Sequence, residues 1–401
     1  MRHTRELPSI AFLGTYPPTS CGLATFAAAL RGAVAEGRGS SRGLGVVSLV
    51  DERRSGRTPE VTHEHLNGDG ASLVDAVAAL NSFDAVFVQH EYGIYGGADG
   101  REVLDLLSGL DNPAVVTLHT VLSRPSPSQR SILEDVVALA ERTIVMSETA
   151  NRRLLNGYKV DQAKVRVVPH GARASLGGPS LANGPRPVAL TWGLIGPGKG
   201  LEMAIEAFAG LRDLRPLPRF VILGRTHPKV QASQGDAYRQ GLMARVHELG
   251  LDDIVEFDDR YLDTEALSIA VRQSDLVVLP YDSTEQVTSG VLVEALAAGK
   301  PIVATAFPHA VELLEAGAGI VVPHNDPTAL SAALRKVLTR PSVAARMGVE
   351  ARLIGSTLYW PAIARRYDHI ATRLVAGREP VPVLSTTAHT EGVSSALAKV
   401  S

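Results

Sequence analysis

Short unbroken apolar runs alternate along this chain with longer stretches in which apolar residues recur every three or four positions. Ser9 to Leu13, Gly45 to Val50, FDAVFV, AVVTL, Thr143 to Met146 and Val165 to Val168 are too short for helices and read as buried parallel strands. After the break ARASLGGPSLANGPRP the pattern restarts with VALTW, RFVIL, IVEF, Leu276 to Leu279 and PIVAT. Between these runs the period changes to that of a helix. Leu23, Phe26, Ala27 and Leu30 share one face, and further helices are predicted over Leu73 to Leu80, Ile132 to Leu139, SETANRRLL with Ser147 as N-cap, GLEMAIEAFAGL, DAYRQGLMARVHELGL, TEALSIAVRQ and VLVEALAA. Asp326 and Pro327 start another, running to about Leu338, and Tyr359, Trp360, Ile363 and Tyr367 fall on one face of a last one.

Strand and helix in strict alternation predict an α/β protein with doubly wound parallel sheets. The Gly-, Pro- and Ser-rich break reads as an interdomain linker. The expected division is a first domain over 1–172, a linker over 173–187, a second domain over 188–356, a helix over 357–376 returning to the first domain, and a mobile tail over 377–401.

Composition narrows the function. A length of 401 residues suits two domains, and a net charge of −2 gives no basis for nucleic-acid binding. Cys21 is the only cysteine, which excludes an intramolecular disulfide and a Cys-based zinc site. No stretch approaches the ~20 apolar residues of a membrane span, so the expected location is the cytoplasm, or the inner face of the membrane as a peripheral protein. Arg31, Arg38, Arg42, Arg53, Arg54 and Arg57 outnumber nearby acids and would suit weak contact with an anionic lipid surface; an ordinary solvated face is the plainer alternative.

In doubly wound sheets ligands sit at the carboxyl ends of the strands, so candidate chemistry is sought there. In SDLVVLPYDSTEQVTSGVLVEALAAGKPIVAT, Ser289, Gly290 and Val291 open a helix with uncrowded N–H groups at its positive end, suited to a phosphate. Glu294 lies one turn further in, where its carboxylate would accept sugar hydroxyls; a plain crossover helix with a surface Glu is the alternative. GLIGPGKG carries Lys199 in a glycine-rich loop but lacks the Walker spacing. Arg225 follows another strand. Gly22 delivers a bare backbone to the start of the first helix. His90 with Glu91, and His119 with Thr120, each follow a strand and would face one crevice. No helical His pair and no Asp-x-Asp suggests a metal, and no G-x-G-x-x-G with a downstream acid suggests a dinucleotide oxidoreductase.

These residues resemble the signature of retaining family-4 glycosyltransferases of the GT-B fold, in which two glutamates stand seven residues apart and the second is followed by Ala and then Gly-x-Pro. Glu294 with ALAAGKP matches the second half; Gln286 occupies the first glutamate's place, with Glu285 adjacent. GTYPPTSCGLATF resembles the family's N-terminal glycine loop. In GLIGPGKG, Lys199 matches the family Lys, whereas Leu194 stands where the family has Arg. The resemblance spans residues 9 to about 375, and GTYPPTSCGLATF, VQHEYGIYGG, GLIGPGKG and LGRTHP together look most like the mannosyltransferase-like branch.

The resemblance implies two Rossmann-like domains facing a cleft and a metal-independent, retaining hexosyl transfer from a nucleoside-diphosphate sugar. GDP-mannose is the first donor to expect and UDP-glucose the second, with a glycan, lipid or small molecule as acceptor. It implies reacting-centre positions at His119, Gln286 and Lys199. Donor contacts fall on Gly22, Lys199, Arg225, Ser289, Gly290, Val291 and Glu294, with the nucleobase near Glu256 to Tyr261. Tyr16, His90, Glu91 and Thr120 are assigned to the acceptor or sugar side. With Leu194 in the Arg position, Arg225 is the expected second cation for the diphosphate. A sugar phosphorylase or sugar-phosphate synthase on the same fold, and a non-catalytic nucleotide-sugar-binding protein, stay open alternatives.

Overall fold

The structure, a computed structural model, describes residues 7–53, 56, 58–174 and 184–377. The first domain carries β1 (Ile10–Gly14), β2 (Leu44–Val50), β3 (Val61–Leu66), β4 (Ala85–His90), β5 (Ala114–Leu118), β6 (Arg142–Val145) and β7 (Val165–Val167). The second carries β8 (Val188–Trp192), β9 (Arg219–Leu223), β10 (Val255–Asp258), β11 (Leu276–Leu279), β12 (Ile302–Thr305) and β13 (Gly319–Val322). Every strand pairing is parallel, in the orders β3-β2-β1-β4-β5-β6-β7 and β10-β9-β8-β11-β12-β13. Strand order reverses between β1 and β4 in one sheet and between β8 and β11 in the other, so each sheet has its crevice at that point.

The unbroken apolar strands follow from cover on both faces. Ala11 and Leu13 of β1 pack into one apolar layer while Ile10 and Phe12 pack into another on the opposite face. In the second sheet Val278 of β11 faces one layer, and Val277 and Leu279 face the other. Alternate side chains therefore serve different layers, and neither face can be polar.

The chain returns to the first domain at its end. Ala172 N–H donates to Leu358 O at 2.8 Å and Trp360 N–H donates to Ala172 O at 2.9 Å. The helix Trp360–Val375 then packs beside the helix Gly22–Arg38. Tyr367 and Thr117 hydroxyls meet at 3.2 Å, and Arg38 pairs with Asp368. The aromatic face expected of this helix is its buried one, with Trp360, Ile363 and Tyr367 in the apolar layer of Phe12 and Phe26.

Two elements depart from the expected pattern. β3 is an edge strand whose sequence VTHEHL interleaves polar residues, and the helix Pro341–Ser356 buries the small positions Gly348, Ala351 and Gly355 rather than a run of large ones. The middle of the expected linker and the expected tail beyond 377 lie outside the described residues.

Candidate active site between the two sheets

The second domain builds its half from the loops after β8 and β11. Gly200 has φ +60°, and a Cβ there would stand 1.9 Å from Pro280 O, so the two loops touch backbone to backbone and only glycine fits. Lys199, next to it, holds Nζ 4.5 Å from the centroid of the buried Tyr281 ring. The chain then enters the helix Gly290–Ala297 through its N-cap Ser289, whose Oγ accepts Leu292 N–H at 3.2 Å. Ser289 N–H donates to His309 Nδ1 at 2.9 Å. That acceptor role puts the His309 proton on Nε2, and burial lowers this imidazole to about 3, keeping it neutral. The N–H groups of Gly290 and Val291, in the first turn, have no intrahelical acceptor.

Glu294 is half-buried one turn further along, and its Oε2 accepts Trp192 Nε1–H at 3.3 Å. Burial pushes its carboxyl up to about 7, partly offset by Trp192 and by the Arg173 charge. Gln286 turns back on its own loop, with Nε2 donating to Thr288 O at 3.0 Å and its main-chain carbonyl accepting His309 N–H at 3.3 Å. Glu285, beside it, points to the other domain, where it accepts Ser123 N–H at 2.7 Å.

The first domain contributes imidazoles at strand exits. His119 Nε2 meets Gln89 Oε1 at 2.8 Å, and its ring stands edge-on to Phe26 with centroids 4.9 Å apart. Burial, reinforced by nearby His170 and His90, lowers it to about 3. His90 lies fully buried against Tyr92, and burial lowers it to about 4. Glu91 accepts the Thr120 hydroxyl and Tyr92 N–H, and burial raises its carboxyl. His170, after β7, packs between Phe26 and Trp360 and comes within 3.0 Å of where a Cβ on Gly290 would stand. His170 thus stands against the Gly290 helix terminus and shares the Phe26 ring with His119.

Other contacts cross between the domains. Arg225 donates to Ser20 Oγ at 2.6 Å while its guanidinium lies 4.6 Å from the Tyr261 ring centroid. Lys229 Nζ donates to Gly93 O at 3.0 Å. Ser147 Oγ donates to Val287 O at 2.8 Å, and Glu312 accepts Glu148 and Thr149 N–H at 2.9 and 2.8 Å. Val287 is buried in the first domain's apolar layer.

Of the positions singled out in the sequence, Ser289, Gly290, Val291, Glu294 and His119 come together, with Lys199 on the adjoining loop. Gly22 is exposed, with open space where its Cβ would be. Arg225, just after strand β9 beside β8, is tied to the loop before Gly22. Tyr16 is buried among Phe12, Phe26 and Leu30 with its hydroxyl beside Arg31, away from this opening. Near the expected base-binding segment, Glu256 pairs with Arg219 and Asp258 with Arg260 at 2.6 Å, leaving Tyr261 under Arg225. Sequence reasoning missed His170, His309 and Trp192. His170 carried the same signal as His90 and His119, a histidine just after a strand.

Among the six arginines considered for a lipid surface, Arg31 is buried against Leu44 O and Arg38 is paired with Asp368; Arg54 and Arg57 lie outside the described residues. No helix among the described residues is long and apolar enough to cross a membrane, and no group of three or more His, Cys, Asp or Glu is arranged to hold a metal.

Comparison with known proteins shows the same two-sheet fold. Residues 178–353 match the family described as "Glycosyl transferases group 1", and residues 33–175 match "Glycosyltransferase Family 4". A protein from Kineococcus radiotolerans named D-inositol 3-phosphate glycosyltransferase is 30% identical over 306 residues, 67% of this chain and 68% of that protein. In fold, the chain is similar to sucrose-phosphate synthase from Thermosynechococcus elongatus, with a TM-score of 0.75 at 19% identity over 92% of this chain and 100% of that one. Anabaena HepE in complex with UDP is similar at a TM-score of 0.70 and 19% identity, over 90% of this chain and 99% of that one.

Proposed function

The chain belongs to the family-4 glycosyltransferases of the GT-B fold, and on that premise we propose that it moves a hexosyl group from a nucleoside-diphosphate sugar to an acceptor hydroxyl, with retention and without a metal ion. The observation that carries this reading is the helix terminus at Gly290, whose first-turn N–H groups have no intrahelical acceptor, with the neutral His170 ring of the other domain against it. A terminus of that kind suits a phosphate, and uncharged rings suit sugar hydroxyls.

In this reading Gly290 and Val291 N–H groups and the Lys199 ammonium stabilise the departing diphosphate. Glu294 accepts ribose hydroxyls while Trp192 fixes its orientation. His119 and Gln286 hold the sugar by hydrogen bonds, a role that needs no carboxylate at position 286. The anomeric carbon–phosphate oxygen bond breaks as the acceptor oxygen bonds on the same face, and the acceptor's proton passes to the leaving phosphate. No protein nucleophile is required.

GDP-mannose is the donor favoured by the sequence resemblance. UDP, present with the Anabaena neighbour, makes uridine donors an equal arm of the test. An inositol phosphate, the acceptor class in the Kineococcus relative's name, heads the small-molecule acceptors to try. Titration calorimetry with GDP, UDP and ADP sugars is the experiment: one donor series should bind, and Lys199→Ala should weaken it. Equal binding to parent and variant would contradict the placement of the diphosphate.

A further inference from the structure

His170 is a residue of this cleft outside the family signature, and the donor reading gives its ring no specific partner. It follows β7 on the first domain, yet its ring touches the second: Nε2 and Cε1 lie 3.0 and 3.1 Å from the position of a Cβ on Gly290. A Cβ at 290 would require the ring to give by a few tenths of an ångström, so helix terminus and imidazole are in tight contact.

Three contacts fix the ring. Phe26 and Trp360 stand against it with centroids 4.9 and 5.8 Å away. Nδ1 lies 2.7 Å from Gly171 O. A carbonyl oxygen only accepts, so Nδ1 carries the proton, and in the neutral ring Nε2 keeps its lone pair. Burial lowers His170 to about 4, so the ring is neutral at physiological pH. Trp360, which is part of this clamp, is itself seated on the Gly171 backbone, where an added Cβ would meet its ring at 2.2 Å. The returning helix of the chain therefore holds the ring, with its Nε2 edge turned toward Gly290.

We infer that His170 is a sugar-binding residue of the donor site, its Nε2 accepting a hydrogen bond from a hydroxyl of the hexosyl group whose diphosphate sits at the Gly290 terminus. This rests on the donor reading above and adds a residue to it. The helix terminus supplies only donors, and Lys199 supplies only donors. A sugar hydroxyl beside them needs an acceptor, and a rigid neutral imidazole at the edge of the phosphate position provides one without repelling the diphosphate. His119 Nε2 is engaged with Gln89 Oε1, which leaves its Nδ1 as acceptor, and His170 adds a second acceptor directly beside Gly290.

The test compares each free nucleotide with its own sugar. Affinities of UDP against UDP-glucose, and of GDP against GDP-mannose, are measured for the parent, His170→Phe and His170→Gln. Phenylalanine keeps the aromatic packing and loses the acceptor; glutamine restores an acceptor oxygen. The Phe variant should bind free nucleotide within about twofold of the parent but bind the nucleotide sugar about tenfold more weakly, the size of one hydrogen bond. The Gln variant should recover part of that loss. If the ratio of nucleotide-sugar to nucleotide affinity is the same in parent and Phe variant, or if both affinities fall together, His170 is only a packing residue and the inference is overturned. If the unchanged protein binds no nucleotide, the donor reading itself fails and this assignment falls with it.

Discussion

Arg153 of the first domain meets Glu285 of the second at 2.9 Å, and the same guanidinium also donates to Glu285 O and Thr284 O at 3.2 and 3.0 Å. Ser123 N–H and hydroxyl complete the carboxylate's partners. The loop that leads into the Ser289 cap is thus pinned to the opposite domain immediately before Gln286. Glu285→Ala should cost about 1–3 kcal/mol, since it strips several charge-assisted bonds at once from a partly buried site. Urea unfolding measures the loss. Donor affinity should fall as well, because the helix terminus loses its anchor, and a variant with parental stability and affinity would show that the contact positions nothing.

Lys199 and Arg225 test the charge at the diphosphate. Lys199→Ala should weaken nucleoside-diphosphate binding by roughly 1.5–3 kcal/mol, the range for a charge-assisted bond. If Arg225 substitutes for the cation that Leu194 cannot supply, Arg225→Ala costs about as much. Its present bond to Ser20 Oγ would then be exchanged for one to phosphate. Unchanged affinity in Arg225→Ala, beside a loss in Lys199→Ala, would leave the Gly290 terminus to hold the second phosphate alone.

Glu294 gives a pH dependence with opposite signs for stability and binding. Burial raises its carboxyl from 4.5 to about 7, so the folded state favours the protonated acid. The associated stability is fully present below about pH 4.5 and is lost as pH rises through 7. Glu294→Gln removes that loss, so the variant's stability relative to the parent should climb between pH 5 and 8. Nucleotide affinity should do the reverse in the parent, rising with pH as the carboxylate forms, and the Gln variant should lack that rise. Parallel affinity profiles for the two proteins would contradict the ribose role.

Gly200→Ala should destabilise the second domain by about 2 kcal/mol or more, because the methyl would meet Pro280 O at 1.9 Å in a left-handed backbone. A melting temperature within a degree or so of the parent would mean the two loops can part.

The residues that sequence reading placed well are those whose chemistry is local. Ser147 caps the helix Glu148–Gly157 and Asp326 caps Pro327–Thr339, because each motif is complete within one turn. The position of His119 just after β5 was legible because the apolar run AVVTL marks the strand that precedes it. What was not legible depends on distant partners. Tyr16 stands two residues past the exit of β1, yet its ring lies in the apolar layer with Phe12 and Phe26. The Glu285 carboxylate serves an arginine from another domain, and Trp192 reads as strand core until its indole N–H is seen to reach Glu294. The polar alternation of β3 hid a strand because an edge position leaves one face wet.

The most direct measurement follows the anomeric configuration of the transferred sugar by proton NMR, with the donor series that binds, a panel of acceptor alcohols that includes an inositol phosphate, and EDTA present throughout. Retaining, metal-independent transfer predicts a new glycoside with the donor's own anomeric configuration, formed together with nucleoside diphosphate at a rate that EDTA leaves unchanged. An inverted product, or turnover that stops in EDTA and returns with a divalent ion, would contradict it.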